Sequence, residues 1–501
     1  MDAQALLQQF QNMAPGGAAA LGASQGGALE SLGDLSKALQ ASNYQTDVAT
    51  LDGGGALGVQ SLDTAMKTTV QENEHFTLFN RLQQTKATNI VDEYVRQTNV
   101  GGFLGGSTNS QMGVVRAAQG EYSREVGLVK FLMSLRQVGY VLNIGKNIVE
   151  ATAVEERNGA LQLLTDSNYL LYHGNADASP TQFDGIFNII DKEIAAGKMS
   201  DDNVIDMRAK PLNSVEPLSK INVAVSRYGS WGRSTDIFLP NSVQNDLNMG
   251  LDPAFRWIPQ GGNTPMIGGH VEGIRLQNGV LKTNMDTFIH DEENPMVYPF
   301  EHHFPDIATK NAAFKPAAVA ADATADAVDS YFESGHAGNY FYAVAAIGAG
   351  GEGQTQIVKT DQVAVAAGKK VVLTITQSAA GTESGYAIYR SRQNGTSNTD
   401  DLRLVKVIAK TGASTTFTDL NRDIPGTVCV PLLNMGPSAD AIGWRQFQPM
   451  IKIPLPFGVG GMPVISWFQF LFGYLRVTKP KHHGYIKNIL PSQATWRPFA
   501  E

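Results

Sequence analysis

Cysteine is almost absent from the sequence: Cys429 is the only one among 501 residues. One thiol excludes an intramolecular disulfide and a cysteine-based metal cluster, and it indicates a reducing compartment. The sequence also lacks any run of about 18 apolar residues that would cross a bilayer, and its first residues lack the basic start and apolar core of a signal peptide. We therefore expect a chain that is made and kept in the cytoplasm.

Positive charge is in the minority. Lys and Arg total 39 against 47 for Asp and Glu, and the formal net charge of -8 argues against a protein that grips nucleic acid by neutralising phosphates. Charged residues make up only 17% of the sequence, so we expect part of the surface to be buried against other chains. The length exceeds that of a single core and predicts roughly two to four domains.

Catalytic motifs are equally scarce. Residues 101–108, GGFLGGST, have the spacing of a phosphate-binding loop, but Ser107 replaces the lysine and the flanking segments lack the required strand and helix patterns. In the adjacent pairs His302–His303 and His482–His483, the two side chains point to opposite faces of a strand, so solvated or interface histidine is the better interpretation. Cys429 is predicted to be a buried structural thiol. These observations predict a protein that is not an enzyme and has no cofactor or metal.

Three other groups have both a chemical and a structural interpretation. Adjacent acids could act as general acid and base, although charged loops and helix faces produce them commonly; they are Asp92–Glu93, Glu155–Glu156 and Asp291–Glu292–Glu293. A basic cluster fits either phosphate contacts or a strand end that meets an acidic surface; it consists of Lys479, Lys481, His482, His483 and Lys487 with Tyr485. An alternating aromatic run predicts core on one face of a strand and an interface on the other; it contains Trp467, Phe468, Phe470, Phe472 and Tyr474.

The first half of the chain predicts extended and helical elements with little core of their own. Residues 1 to about 60 are rich in Ala, Gly, Gln and Ser and predict an arm, and residues 61–84 predict a short helix or two. The segments KATNIVDEYVRQ and REVGLVKFLMSLRQVGYVL predict a long two-stranded hairpin with a glycine-rich tip, which is stable only when it lies on something else. Residues 145–173 predict a helix about 40 Å long with a weak point at Asn158–Gly159. Its predicted apolar stripe is Ala153, Ala160, Leu164 and Leu171.

The second half predicts a mixed α+β body that is interrupted by a β-sandwich. The segment STDIFLP reads as a strand, and Pro240 opens a helix that ends at Gly250. Near residue 313 a linker-like run, AAFKPAAVAADATADAV, precedes about a hundred residues of short strands. There Val371, Leu373 and Ile375 alternate with outward residues, as in a small sandwich. After about residue 427 the body pattern resumes, which indicates an inserted domain.

This order of elements resembles the major capsid proteins of tailed bacteriophages, which have the Hong Kong 97-type fold. The stretches TNIVDEYVRQTNVGGF and YSREVGLVKFLMSLRQVGYV are similar to the outgoing and return strands of the extended loop. The stretch ERNGALQLLTDSNYLLYHGN, followed by PTQFDGIFNII, resembles the spine helix that leads into the peripheral domain; TDIFLPNSVQNDLN and PAFRWIP also fit. The insertion, with YFYAV, GYAIYR and FTDL, resembles fibronectin type III or bacterial immunoglobulin-like domains.

The resemblance implies an α+β fold with five parts: an N-terminal arm (1–84), an extended loop hairpin (85–142), a peripheral domain with spine helix and axial domain (143–312), an inserted immunoglobulin-like β-sandwich (313–427) and a return to the body (428–501). It implies a structural protein of the virion that self-assembles, as hexamers and pentamers, into the icosahedral head around double-stranded DNA. The sandwich would be displayed outside. Expected partners are further copies of the chain, portal and scaffolding or decoration proteins and, weakly and non-specifically, DNA; no membrane is expected.

Within the extended loop we predict inter-subunit contacts by Glu93, Arg96, Gly101, Gly102, Gly105, Gly106, Arg124 and Glu125. Glycines at the tip would let one sequence bend differently in hexamers and pentamers, because glycine accepts φ values that other residues resist. Two other hypotheses stay open. One is a surface adhesin or decoration protein that binds glycans through the sandwich, and the other is a hydrolase or nucleotide-binding enzyme.

Overall fold

A computed structural model of the chain describes residues 76–144, 150–250, 273–289, 315–348, 357–458 and 462–500. Several predictions fall outside these residues: most of the arm, the segment PAFRWIP, the pair His302–His303, the acids at 291–293 and the expected start of the insertion near residue 313.

The predicted hairpin is present, but its return limb consists of two strands. In chain order the first elements are helix α1 (Thr77–Arg81) and strands β1 (Gln83–Lys86), β2 (Val91–Asn99), β3 (Glu121–Leu128) and β4 (Lys130–Gly139). Strands β2 and β3 pair antiparallel with each other alone. After Val129 the chain leaves the hairpin, and β4 pairs with a strand of the body. The free two-stranded part is therefore shorter than predicted, and residues 100–120 form its tip.

A short helix α2 (Tyr140–Ile144) precedes the long helix α3 (Ala151–His173), which at 1.5 Å per residue is about 35 Å long. The helix continues through Asn158–Gly159. The predicted apolar stripe is wrong at its start, because Ala153 is exposed. The buried positions combine small, polar and apolar residues, which a count of apolar residues misses: Gly159, Leu163, Ser167, Asn168, Leu170, Leu171 and Tyr172.

The body then alternates helices and strands, as the sequence predicts. The elements are α4 (Ile186–Ala195), β5 (Val204–Lys210), α5 (Glu216–Ser226), β6 (Asp236–Leu239), α6 (Asn241–Gly250), β7 (Gly273–Leu276) and β8 (Gly279–Met285). All four residues of β6 are buried, and α6 follows Pro240 and ends at Gly250. The predicted strand–helix unit at 236–250 is confirmed.

The next segment, which we call the sandwich, consists of a three-stranded sheet, a four-stranded sheet and a separate pair of strands. Its strands are β9 (Pro316–Ala325), β10 (Gly338–Tyr340), β11 (Tyr342–Gly348), β12 (Val358–Lys359), β13 (Val363–Val365), β14 (Lys369–Ser378), β15 (Glu383–Ser391), β16 (Leu402–Ala409) and β17 (Ser414–Asp419). Sheets β17-β14-β9 and β12-β11-β15-β16 share one apolar core, and β10 and β13 form the separate pair. Val371, Leu373 and Ile375 are fully buried, as their alternation predicts. The linker interpretation is wrong for residues 316–325, because Val319, Ala321 and Ala323 pack into this core as part of β9.

The chain returns to the body with β18 (Val428–Leu433), β19 (Ile442–Pro454), β20 (Val464–Val477) and β21 (Gly484–Ile489). These strands complete a four-stranded sheet, β1-β19-β20-β4, and a six-stranded sheet, β5-β21-β18-β6-β8-β7. One apolar core joins the two sheets with α3 and α4. The α+β class is confirmed, and the body is completed only when the chain returns from the sandwich.

Candidate inter-subunit surface

Exposed apolar side chains are concentrated on the hairpin and the elements that follow it. Of the 29 large apolar side chains that are exposed among the described residues, 19 lie between Ile90 and Ile144. Scattered exposed apolar residues are ordinary on a soluble protein, whereas a concentration of this size in one region is typical of a surface that binds another molecule.

The pairing register of the hairpin places apolar residues on its outer face. Val91 lies opposite Leu128, Glu93 opposite Val126, and Val95 opposite Arg124. Directly opposed residues project from the same side of an antiparallel pair. Val95 is 69% exposed and Val126 is 57% exposed, whereas Glu93 and Arg124 form an ion pair between them. We call the outward residues of β2 and β3, together with tip residues 100–120, the hairpin surface.

The inner face of the hairpin is polar and is bound to the body of the same chain. Arg445 donates to both oxygens of Asp92, with Nε–Oδ2 and Nη2–Oδ1 distances of 2.8 and 2.9 Å. The hydroxyl of Tyr474 donates to Asp92 at 2.6 Å. Hydrogen bonding by Arg445 holds the pKa of Asp92 below its usual range, although burial opposes this shift. Asp92 is therefore an ionised anchor for the base of the hairpin.

Two of the predicted contact residues belong to this inner face. Arg96 donates to Glu193 of α4 at 2.8 Å and lies 3.6 Å from Glu125. Glu125 also accepts from Lys198 at 3.4 Å. Arg96 and Glu125 thus hold the hairpin on its own body, whereas Glu93 and Arg124 lie on the exposed face. Because successive side chains along β2 and β3 point to opposite faces of the hairpin, Arg96 and Glu125 lie on one face and Glu93 and Arg124 on the other.

The four predicted tip glycines differ in their backbone requirements. Gly101, Gly102 and Gly105 have φ values of 91°, 81° and 78°, in the left-handed region that favours glycine, whereas Gly106 does not. A Cβ at Gly101 would lie 2.2 Å from the carbonyl oxygen of Gln119, on the opposite side of the tip. Gly101 is therefore required both by its φ value and by close packing, and Gly105 by its φ value alone.

The tip carries more than glycine. Arg116 is its single charged residue, and its exposed apolar residues are Val100, Phe103, Leu104, Met112, Val114 and Val115. Sequence reasoning missed these apolar residues because it weighed only the glycines. The sequence does contain a signal for an apolar tip, because residues 100–115 include no charged side chain.

A second apolar surface lies on the four-stranded sheet, on the face that points away from α3. Phe131, Met133 and Leu135 are exposed there and pair with a row of half-buried phenylalanines on β20. The register joins Phe131 to Phe472, Met133 to Phe470 and Leu135 to Phe468. The rings of Phe131 and Phe472 lie 5.0 Å apart, edge to face. We call these six side chains the sheet surface; the aromatic run has core on one face and an apolar surface on the other, as predicted.

The opposite face of that sheet packs on α3. Gln469 donates to the carbonyl of Glu156 at 2.8 Å, and Arg136 donates to Gln162 at 2.6 Å. A Cβ at Gly159 would lie 1.8 Å from the side-chain oxygen of Gln469. Gly159 therefore permits the close approach of helix and sheet, which is the reason that a helix-weakening residue stands there.

The remaining candidate catalytic groups have structural partners. Glu155 pairs with Arg136, and Glu156 with Lys452. In the basic cluster, Lys487 pairs with Asp423, and Tyr485 donates to Asp191. Two members of the cluster thus meet acids of the same chain.

His483 and Cys429 are held in uncharged forms. His483 is 1% exposed, so the interpretation as solvated or interface histidine is wrong for this residue. Burial lowers its pKa to about 3. Cys429 is partly buried, and desolvation, reinforced by Asp423, raises the pKa of its thiol to about 12. A neutral thiol is a poor nucleophile.

Within the part of the chain that the structure describes, no group of three His, Cys, Asp or Glu side chains could hold a metal ion. No described helix is long and apolar enough to cross a membrane.

No protein-family model and no curated protein matches the sequence. Similar solved structures include the holo-SrpI encapsulin complex from Synechococcus elongatus PCC 7942, with 10% identity, 90% of this chain and 98% of that chain covered, and a TM-score of 0.37. The capsid of a native GTA particle is also similar, with 7% identity, 89% and 100% coverage, and a TM-score of 0.45. A structure from Mycobacterium phage Adephagia has 7% identity, 88% and 98% coverage, and a TM-score of 0.41.

Proposed function

We propose that this chain is a shell-forming structural protein, a major capsid protein of the Hong Kong 97 type that self-assembles into the icosahedral head of a tailed bacteriophage. The observation that carries the proposal is the hairpin surface: a projecting two-stranded element with exposed Val95, Val126, Phe103 and Leu104. Such an element gains stability when a neighbouring chain covers it. Its polar inner face, anchored at Asp92, sets the direction in which it projects.

The sheet surface supplies an apolar partner for the hairpin surface of another copy. Both surfaces are largely apolar. The hairpin surface carries Arg116 in its tip and the Glu93–Arg124 ion pair on its strands, and none of the six side chains of the sheet surface is charged. A stable protein–protein contact buries about 800 Å² per partner, within reach of a hairpin that carries a 21-residue tip (100–120). Because the two surfaces differ, the contact is head to tail, and repetition by rotation closes rings. Many modest contacts then hold a shell together.

In this proposal the rings are hexamers and pentamers, and the closed shell is the virion head around double-stranded DNA. Portal and scaffolding or decoration proteins are further expected partners, and assembly takes place in the host cytoplasm. The sandwich is displayed on the exterior. The net charge of -8 suits a wall that confines DNA without binding it strongly.

The proposal is tested by placing charge on the outer face of the hairpin. The double variant Val95→Asp and Val126→Asp should lose shell assembly in electron micrographs and sediment as small species, because a carboxylate is costly to bury in an apolar contact. The unfolding midpoint of the unassembled chain should stay unchanged, since both side chains are already exposed. Val328→Asp is the matched control, at a valine of the sandwich that is 90% exposed. Assembly by the double variant at the level of this control would contradict the proposal.

The adhesin alternative places a glycan site on the sandwich. Large aromatic side chains anchor many binding surfaces. Among the described residues of the sandwich, Val328 is the only exposed large apolar side chain, and no exposed aromatic ring accompanies it. The described surface of the sandwich therefore favours the structural proposal over the adhesin.

A further inference from the structure

Residues 491–500, which we call the strap, run from the body onto the sandwich. Strand β21 ends at Ile489 in the six-stranded sheet of the body. The strap begins at α6, where the backbone amide of Ser492 donates to Asp246 at 2.7 Å. From there it reaches residues of the sandwich that lie about a hundred positions earlier in the chain.

Trp496 is the main anchor of the strap. Its side chain is 7% exposed, and its indole N–H donates to Asp401 at 3.2 Å. The guanidinium of Arg403 lies 5.2 Å from the centre of the ring. Gly426, just after the sandwich, has a φ of 73°, and a Cβ there would lie 2.3 Å from the Trp496 ring. The ring therefore fills a site formed by the sandwich and by the segment that leads from it back to the body.

Phe499 and its neighbours add a second anchor. The rings of Phe499 and His336 stack with centroids 3.9 Å apart. The backbone amide of Gln393 donates to the carbonyl of Pro498 at 2.8 Å, and the side-chain oxygen of Gln393 accepts from the amide of Ala500 at 2.8 Å. The backbone of the strap is thus hydrogen-bonded to the sandwich in both directions.

The seam between sandwich and body also contains other polar contacts. Ser384 donates to the carbonyl of Ala178 at 2.6 Å, and Asn175 donates to the carbonyl of Val407 at 3.2 Å. Arg208 of β5 pairs with Glu333 at 2.6 Å, in a contact that is about half exposed on both sides. Exposed ion pairs contribute little stability. Asn488 of β21 adds a buried contact at the end of the sandwich segment, because it donates to the carbonyl of Arg422 at 2.8 Å and accepts from the amide of Ile424 at 3.0 Å. The strap adds the buried ring of Trp496 to these contacts.

We propose that the strap is a positioning element that fixes the orientation of the sandwich on the body. A domain joined to its host by two chain crossings is free to move unless its interface is large and apolar. The strap adds a third tether, and two aromatic side chains and a paired backbone hold it in place. The sandwich is therefore a fixed part of the subunit and not a flexible appendage. This inference holds whether or not the chain builds a shell.

Hydrogen exchange of the full-length double variant Trp496→Ala and Phe499→Ala tests the proposal. The amide of Gln393 should exchange at least about tenfold faster, because its acceptor on Pro498 is no longer held, while the core amide of Leu373 in β14 keeps its protection. Gln493→Ala, at an exposed residue of the strap, is the matched control. Unchanged exchange at Gln393 would overturn the proposal. Equal acceleration at Leu373 would also overturn it, because the strap would then be a part of the sandwich's own fold.

A distance measurement gives an independent readout. Spin labels at Lys220→Cys in the body and Thr376→Cys in the sandwich, in a Cys429→Ser background, both occupy exposed positions. A narrow distance distribution is expected with the strap intact and a broader one in the double variant. An equally narrow distribution in both proteins would contradict a positioning role.

Discussion

His483 is a titratable residue that is buried in the body. The ring accepts a hydrogen bond from the amide of Asn434 at Nδ1, 3.2 Å away, and Nε2 lies 3.5 Å from the carbonyl of Ala441. Burial disfavours the charged form and lowers the pKa of His483 from 6.5 to about 3. In the unfolded chain the same ring takes up a proton below about pH 6.5.

The folded state should therefore lose stability as the pH falls from about 6.5 toward 3. At pH 5 the loss from this residue alone is about 2 kcal/mol relative to pH 7. Denaturant unfolding of the unassembled chain at the two pH values measures the loss, and His483→Gln should make the dependence flatter by about that amount. His482→Gln is the comparison: burial also lowers the pKa of this less buried neighbour, so this substitution should flatten the dependence less. A pH dependence that His483→Gln leaves unaltered would show that other groups cause it.

At the scale of the elements, substitutions in the hairpin tip should reduce assembly without changing the stability of the unassembled chain. Gly101→Ala should sharply reduce shell yield, because the left-handed φ and the contact with Gln119 both resist a side chain. Gly105→Ala should have a smaller effect, since φ alone opposes it and a Cβ there meets open space. Both variants should unfold at the wild-type midpoint when unassembled. The comparison is made by particle counts in electron micrographs, and an equal yield for the two variants would contradict the assigned role of Gly101.

Elements with one clear local pattern of apolar residues or helix-starting residues could be predicted from the sequence. Elements whose bounds depend on pairing with distant segments could not. Alternation of buried residues in β14 and the proline-started helix α6 are local signals, and both predictions are confirmed. Strand β9 looked like a linker because alanine contributes little apolar signal, although its pairing with β14 buries alternate residues. The division between β3 and β4 at Val129 depends on pairing with β20, which lies more than 300 residues later in the chain.

The candidate inter-subunit surface could likewise be predicted from the sequence only in part. Charged and glycine residues in the loop directed the prediction of inter-subunit contacts to the hairpin, but period 2 in β2 and β3 assigns Arg96 and Glu125 to its inner face. The β4 half of the sheet surface was missed because residues 131–135 were assigned to the hairpin and not to the body. Its partners on β20 are known only from the register of the folded chain.

At the scale of the whole molecule, the proposed assembly requires that other copies cover the two apolar surfaces. A body with its own continuous core does not need them for folding. The low fraction of charged residues, 17%, agrees with a chain that buries part of its surface against other copies. The account therefore predicts that the isolated chain folds, and that its stable state at high concentration is a closed assembly.

The most direct measurement of this claim is electron cryomicroscopy of the purified wild-type protein under assembling conditions. The account predicts closed icosahedral shells in which density for residues 91–128 of one copy lies against Phe131, Met133 and Phe470 of a neighbour. A monodisperse monomer under every assembling condition, or shells in which the hairpin stays clear of neighbouring copies, would contradict it.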